Sequence, residues 1–113
     1  MRTLLEVDPR PTAVFVCNDM MALGVIKVAH KLAIKIPEDF SVVGFDDIPL
    51  TEAVSPSLTS VSQPYTKMAT AATELLLKRL AGLKRKGIVK EYERIVFEPT
   101  LTVRESCAPP KEL

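Results

Sequence analysis

Two pairs of polar residues are the places where this sequence could do chemistry: Asn18-Asp19 and Asp46-Asp47. Each pair directly follows a short, unbroken apolar run rich in β-forming residues, Ala13-Val14-Phe15-Val16-Cys17 and Phe40-Ser41-Val42-Val43-Gly44-Phe45. An amide offers two donors and two acceptor lone pairs, and a carboxylate accepts several hydrogen bonds. Together they suit a neutral ligand rich in hydroxyl or N–H groups. They suit phosphate poorly, because carboxylates repel it, and the turn after the first run has no glycine until Gly24, so a phosphate-cradling loop is absent.

Each residue also has a plain structural reading. Asp19 reads first as a helix cap and only second as a ligand contact. Asn18 and Asp47 serve equally well as turn residues. Asp46 is the strongest candidate, since a carboxylate at the end of a buried strand is costly unless it finds a partner.

The elements around these pairs dictate where they go. The apolar runs are strands of the kind buried on both faces of a parallel sheet. Between them the pattern predicts a helix over 20–33, with Met21, Val25, Val28, Ala29 and Leu32 inward and Lys27, His30 and Lys31 wet, ended by Pro37. Strand, helix, strand with short joins is a right-handed βαβ unit, so the class is α/β with a parallel sheet. Parallel strands deliver their carboxyl ends to one edge, where ligands of open α/β sheets bind. Residues 2–7 read as the last turns of an element that begins earlier. Residues 48–58 read as a loop and 59–62 as a short strand. A long helix follows over 64–81, with Tyr65, Met68, Ala69, Ala72, Leu75, Leu76 and Leu80 as its core stripe and Gly82 as C-cap. A basic loop over 83–90, strands over 92–97 and 100–104, and a frayed tail from Ser106 complete the chain.

Several function classes lose support. A net charge of +1 makes no strong positive field, and Lys84-Arg85-Lys86 reads as a solvated loop, so this chain offers no electrostatic grip on DNA. Cys17 and Cys107 lie far apart and His30 is the single histidine, so no metal and no cofactor is expected. Adjacent strand-end carboxylates diverge, and no nucleophile–base set accompanies them, so the chain is not read as an enzyme. No apolar run reaches the ~18 residues of a membrane helix. The opening residues are not a signal peptide, and the expected setting is the reducing cytoplasm.

Met20, Leu23 and Gly24 share a helical stripe with Lys27 and Lys31, not with the core. An apolar patch at one end of a wet face is expected to be an interface, here of a homodimer. The competing reading tucks that helix end under the 48–57 loop.

Four blocks carry a resemblance. They are Val14 through Gly24, Ile36 through Asp47, Ser57-Leu58-Thr59-Ser60-Val61-Ser62-Gln63-Pro64, and Val103-Arg104-Glu105-Ser106. In this order and spacing the chain strongly resembles the LacI/GalR family of bacterial transcriptional regulators, over roughly 10–109. The resemblance implies the C-terminal part of an effector-binding domain: a partial periplasmic-binding-protein-like type I fold, three-layer α/β/α. In that family an effector lies between two lobes, and a helix-turn-helix headpiece, absent from this chain, reads operator DNA. Residues 1–61 would be the C-terminal lobe, 62–99 a contribution to the other lobe, and 100–113 the return strand and tail, with hinge crossings near Ser62 and Pro99. Asp46 matches the family aspartate that hydrogen-bonds effector. Asn18 matches a frequent polar contact, and Tyr65 a position that sometimes lines the pocket, although its spacing fits the core stripe better. The implied partners are a sugar or similar polar metabolite, a second copy, and DNA through the headpiece only. A solute-binding protein for uptake or chemotaxis is the alternative on the same fold. A chain holding parts of two lobes is also expected to expose apolar surface and to self-associate.

Overall fold

The computed structural model describes residues 2–86 and 92–110. They form two compact units, Met1–Ser62 with Thr100–Leu113, and Gln63–Pro99.

The first unit holds a four-stranded sheet in the order β1 (Ala13–Phe15), β2 (Ser41–Asp46), β3 (Thr59–Ser62), β4 (Thr100–Thr102). Helix α1 (Arg2–Leu5) precedes it, α2 (Asp19–Lys31) joins β1 to β2, and α3 (Leu50–Ala53) lies within the stretch read as a plain loop. β1, β2 and β3 run parallel, with Phe15 opposite Val43 and Asp46 opposite Ser62. β4 is antiparallel to β3, so the sheet is mixed rather than wholly parallel. The reason is connectivity: the chain leaves this unit through β3 and returns along its neighbour.

The core is Val16, Ala22, Phe40, Val42 and Leu58, with Val14, Val25, Ile26, Ile34, Ile36 and Val54 packed against it. Two inward assignments fail. Met21 and Leu32 are exposed, while Asp19, Ala22 and Ala29 are buried. The inward face is rotated by roughly one residue of a 3.6-residue turn. A hydrophobic stripe count misses this because the face begins with a carboxylate. β1 also departs from the double-sided burial expected of it. It is the edge strand, and Ala13 and Phe15 are exposed.

Helix α2 ends before Pro37 has any influence. Ala33 takes φ 54, its N–H donates to His30 O, and the N–H of Ile34 donates to Ala29 O at 2.9 Å. This is the left-handed C-cap in which two reverse bonds satisfy the last carbonyls.

At Ser106 the chain is anchored rather than frayed, and 111–113 lie outside the described residues. Ser106 is fully buried; its hydroxyl accepts from Thr59 N at 2.8 Å and donates to Val42 O at 2.6 Å. One side chain thus ties the return segment to β2 and β3.

In the second unit α4 (Tyr65–Lys86) runs straight through Gly82, which is not its C-cap. The basic residues 83–86 are its last turn, and 87–91 lie outside the described residues. The stripe read as core is largely open: Tyr65, Met68, Leu76 and Leu80 are exposed. Residues 92–99 form no strand. They lie along α4 instead, with Lys78 3.2 Å from Glu93 and the Arg79 guanidinium over the Tyr92 ring. Ile95 and Phe97 line a groove with Met68, Ala71, Ala72 and Leu75. Among the described residues no helix is long and apolar enough to cross a membrane.

Candidate functional site

The parallel register places Asn18 and Asp46 at one edge of the sheet. Val16 N donates to Val43 O at 2.8 Å, so the chain leaving β1 toward Asn18 travels beside the chain leaving β2 toward Asp46. Ser62, opposite Asp46, ends β3 at the same edge. The Phe15 ring, 59% exposed, meets Phe45 edge to face with centroids 6.3 Å apart, so an aromatic surface lies close to these polar ends.

Asn18 is the N-cap of α2. Its backbone is extended, and Oδ1 accepts from Met21 N at 2.9 Å. That bond occupies one acceptor of the amide and none of its donors. The cap role read for Asp19 therefore belongs to its neighbour.

Asp19 is 1% exposed and its carboxylate is engaged inside the fold. Oδ1 accepts from Ser60 Oγ at 2.6 Å, and Oδ2 accepts from Ile48 N at 2.9 Å. Gly44 makes room for it: a Cβ at that position would run into Asp19 Oδ1 and press on Leu58. The structure thus places Asp19 in the scaffold beneath the edge, tying α2 to β3 and to the turn after β2.

That turn is unusual in its backbone. Asp46 has φ 108 and Asp47 φ 57, both in the left-handed half of conformational space. Such conformations in residues other than glycine cost of order 1–3 kcal/mol each and persist where surroundings over-determine them. Asp46 is half-buried.

Asp47 is held from several sides. Oδ1 accepts from Arg104 Nη1 at 2.7 Å, Oδ2 accepts from Thr102 Oγ1 at 2.9 Å, and its N–H donates to Ser60 Oγ at 3.2 Å. Arg104 also donates from Nη1 to Leu58 O at 2.9 Å and from Nη2 to Glu52 Oε1 at 3.1 Å. Burial alone would raise the Asp47 carboxyl. The hydrogen bonds from Arg104 and Thr102, with the arginine charge, outweigh it and hold the group below its ordinary value.

Tyr65 belongs to the second unit. It is exposed rather than in a core stripe, and its hydroxyl accepts from Gln63 Nε2 at 3.3 Å. On α2, Met20 is 64% exposed, Leu23 is half-buried, and a Cβ added to Gly24 would meet nothing within 4 Å. Met20 and Gly24 are therefore not tucked under the following loop, and the exposed Met21 enlarges the patch. Arg104, Thr102 and Ser60 were not singled out by sequence reasoning. Their carboxylate partners, Asp19 for Ser60 and Asp47 for Thr102 and Arg104, lie 41 to 57 residues away, beyond any local pattern.

Residues 1–107 match the family described as periplasmic binding protein-like domain. The ribose operon repressor of Haemophilus influenzae is 38% identical over 106 residues, 94% of this chain and 30% of that protein. The HTH-type transcriptional repressor PurR of Histophilus somni is 42% identical over 106 residues, with the same two coverages. A LacI family transcriptional regulator from Enterococcus faecalis V583, solved with bound ribose, superposes with TM-score 0.85 at 32% identity, over 97% of this chain and 39% of that one. The chain spans about 30% of the length of the curated relatives it matches.

Proposed function

This chain belongs to the periplasmic binding protein-like domain family, alongside LacI-type regulators, and from that premise we propose that it is an effector-sensing part of a transcriptional regulator. Unit Met1–Ser62 with Thr100–Leu113 is then part of one lobe, and Gln63–Pro99 is a contribution to the other, with crossings at Ser62 and Thr100. The ligand is a neutral, hydroxyl-rich small molecule, of which the ribose bound to the E. faecalis neighbour is an example.

The observation that carries this reading is the shared edge of Asn18 and Asp46, with Asp46 held at φ 108. The Asp46 carboxylate accepts ligand hydroxyls, the Asn18 amide donates, and Phe15 offers an apolar face. Asp19 acts at one remove, because its oxygens already serve Ser60 and Ile48. Met20, Leu23 and Gly24, with Met21, form part of a homodimer surface.

Ligand occupancy is then read out as a change in operator affinity, through a DNA-reading segment outside this chain, in the cytoplasm. No catalysis is assigned. The solute-binding alternative is not favoured, since the relatives above are transcriptional repressors.

The test is calorimetric titration of the full-length protein with ribose and a panel of neutral sugars. One of them binds, and Asp46→Asn weakens that binding about tenfold or more, the loss of a charged hydrogen bond. Equal affinity in the variant would remove Asp46 from the site, and no binding by any sugar would overturn the ligand class.

A further inference from the structure

Asp47 touches both strands that connect the first unit to the second. β3 leaves the unit at Ser62 and β4 enters it at Thr100, and these two residues are paired opposite each other. Two residues before the exit, Ser60 Oγ accepts the Asp47 N–H at 3.2 Å. Two residues after the entry, Thr102 Oγ1 donates to Asp47 Oδ2 at 2.9 Å. Two residues further, Arg104 Nη1 donates to Oδ1 at 2.7 Å. A turn that merely ended a strand would need none of these.

The grip is over-determined. The next N–H along the turn, that of Ile48, is held by Asp19, which also receives the Ser60 hydroxyl. Arg104 cannot swing away, because its fork also donates to Leu58 O and Glu52, and its N–H donates to Thr59 Oγ1 at 2.9 Å. The side chains of Asp47 and Arg104 are only 13% and 12% exposed, so water does not readily replace either partner. The residue next to the candidate ligand contact thus holds the roots of both crossing strands at once.

We infer that Asp47 is a positioning residue that couples the turn carrying Asp46 to β3 and β4 together, so that a change at the turn is passed jointly to both crossings. As a device for ligand response this rests on Asp46 being the effector contact; as a mechanical link it rests on the hydrogen bonds alone. Packed, fully bonded elements move between discrete arrangements instead of deforming gradually. Linkage then requires that movement of the strands alter ligand affinity by the same factor as ligand alters the strands.

The test is amide hydrogen exchange on the full chain, ligand-free, for wild type, Asp47→Asn and Thr102→Val. Both variants accelerate exchange at the turn (47–48) and in the β3–β4 pair (61–62 and 101–102) by a common factor, about tenfold for Asp47→Asn and less for Thr102→Val. Amides of α2 keep their wild-type rates. Acceleration at the turn alone would overturn the coupling. Should Asp47→Asn fail to fold, Thr102→Val decides by the same pattern. A second arm adds ribose to the full-length protein: protection appears at the turn and in both strands of wild type, and at the turn only in Asp47→Asn. Strand protection that persists in that variant also overturns the coupling. If ribose and the sugar panel bind nowhere, the effector reading fails while the ligand-free exchange still decides the link.

Discussion

Ser60 Oγ donates to Asp19 Oδ1 at 2.6 Å across 41 residues of sequence, and both residues are at most 1% exposed. A bond this short between a hydroxyl and a carboxylate, shielded from water, fixes the first turn of α2 against β3. Removing one partner strands the other in the interior, and an unsatisfied buried group costs about 1–3 kcal/mol, more if charged. Ser60→Ala is therefore expected to lower unfolding free energy by roughly that amount. Urea unfolding followed by circular dichroism checks it, and an unchanged midpoint would mean that Asp19 is not held as described.

Gly44 and Gly24 respond in opposite directions to alanine. At Gly44 a methyl group would meet Asp19 Oδ1 and Leu58, so Gly44→Ala is expected to destabilise by about 1–3 kcal/mol. At Gly24, inside α2, nothing lies within 4 Å, and Gly24→Ala stabilises by about 0.5–1 kcal/mol through helix propensity. Paired thermal melts of the two variants read the sign of each directly.

Acid sensitivity follows from Asp47. Its folded pKa lies below the ordinary 3.8, so the charged form is favoured by folding. Its contribution is complete above that ordinary value and is lost as pH falls through the lower folded value. Asp47→Asn removes it. The gap in urea midpoint between wild type and variant is therefore expected to be constant near neutrality and to close as pH falls below about 4. A gap that persists unchanged into strong acid would contradict the assignment.

The apolar turn of α2 makes a prediction about assembly. Met20 and Met21 are exposed while Leu23 is half-buried, so a charge at either end of this patch opposes its burial against a second copy. Met20→Glu and Leu23→Glu are expected to weaken dimerisation of the full-length protein about tenfold or more, a loss near 1.4 kcal/mol. Met20→Glu leaves the fold intact, since that side chain contributes nothing to the core. Sedimentation equilibrium gives the answer, and identical association constants would move the interface elsewhere.

Much of the fold was legible because it is local. Apolar β-type runs at 13–17 and 40–45 became β1 and β2, and the segment between them became α2. The short strand at 59–62 and the return strand after Pro99 were likewise readable from flanking prolines and β-formers. The strand expected at 92–97 did not form, because a strand needs a neighbour to bond to and this segment lies against α4 instead. The α4 stripe was readable as helical, but not its exposure, which depends on what packs against it.

By itself the sequence determined the β1-α2-β2 unit and the edge of the sheet at which Asn18 and Asp46 come out. Side-chain periodicity and the handedness of a parallel crossover suffice for that. Only the tertiary structure decided what each of four neighbouring polar residues does there. Asn18 caps the helix, Asp19 turns inward to Ser60 and Ile48, Asp46 takes a left-handed turn at the rim, and Asp47 is drawn to Thr102 and Arg104. Asp19 and Asp47 carry the same functional group as Asp46. The partners that fix Asp19 and Asp47 in these roles include Ile48, Ser60, Thr102 and Arg104, 29 to 57 residues distant, which no spacing rule encodes and folding alone brings within hydrogen-bond reach.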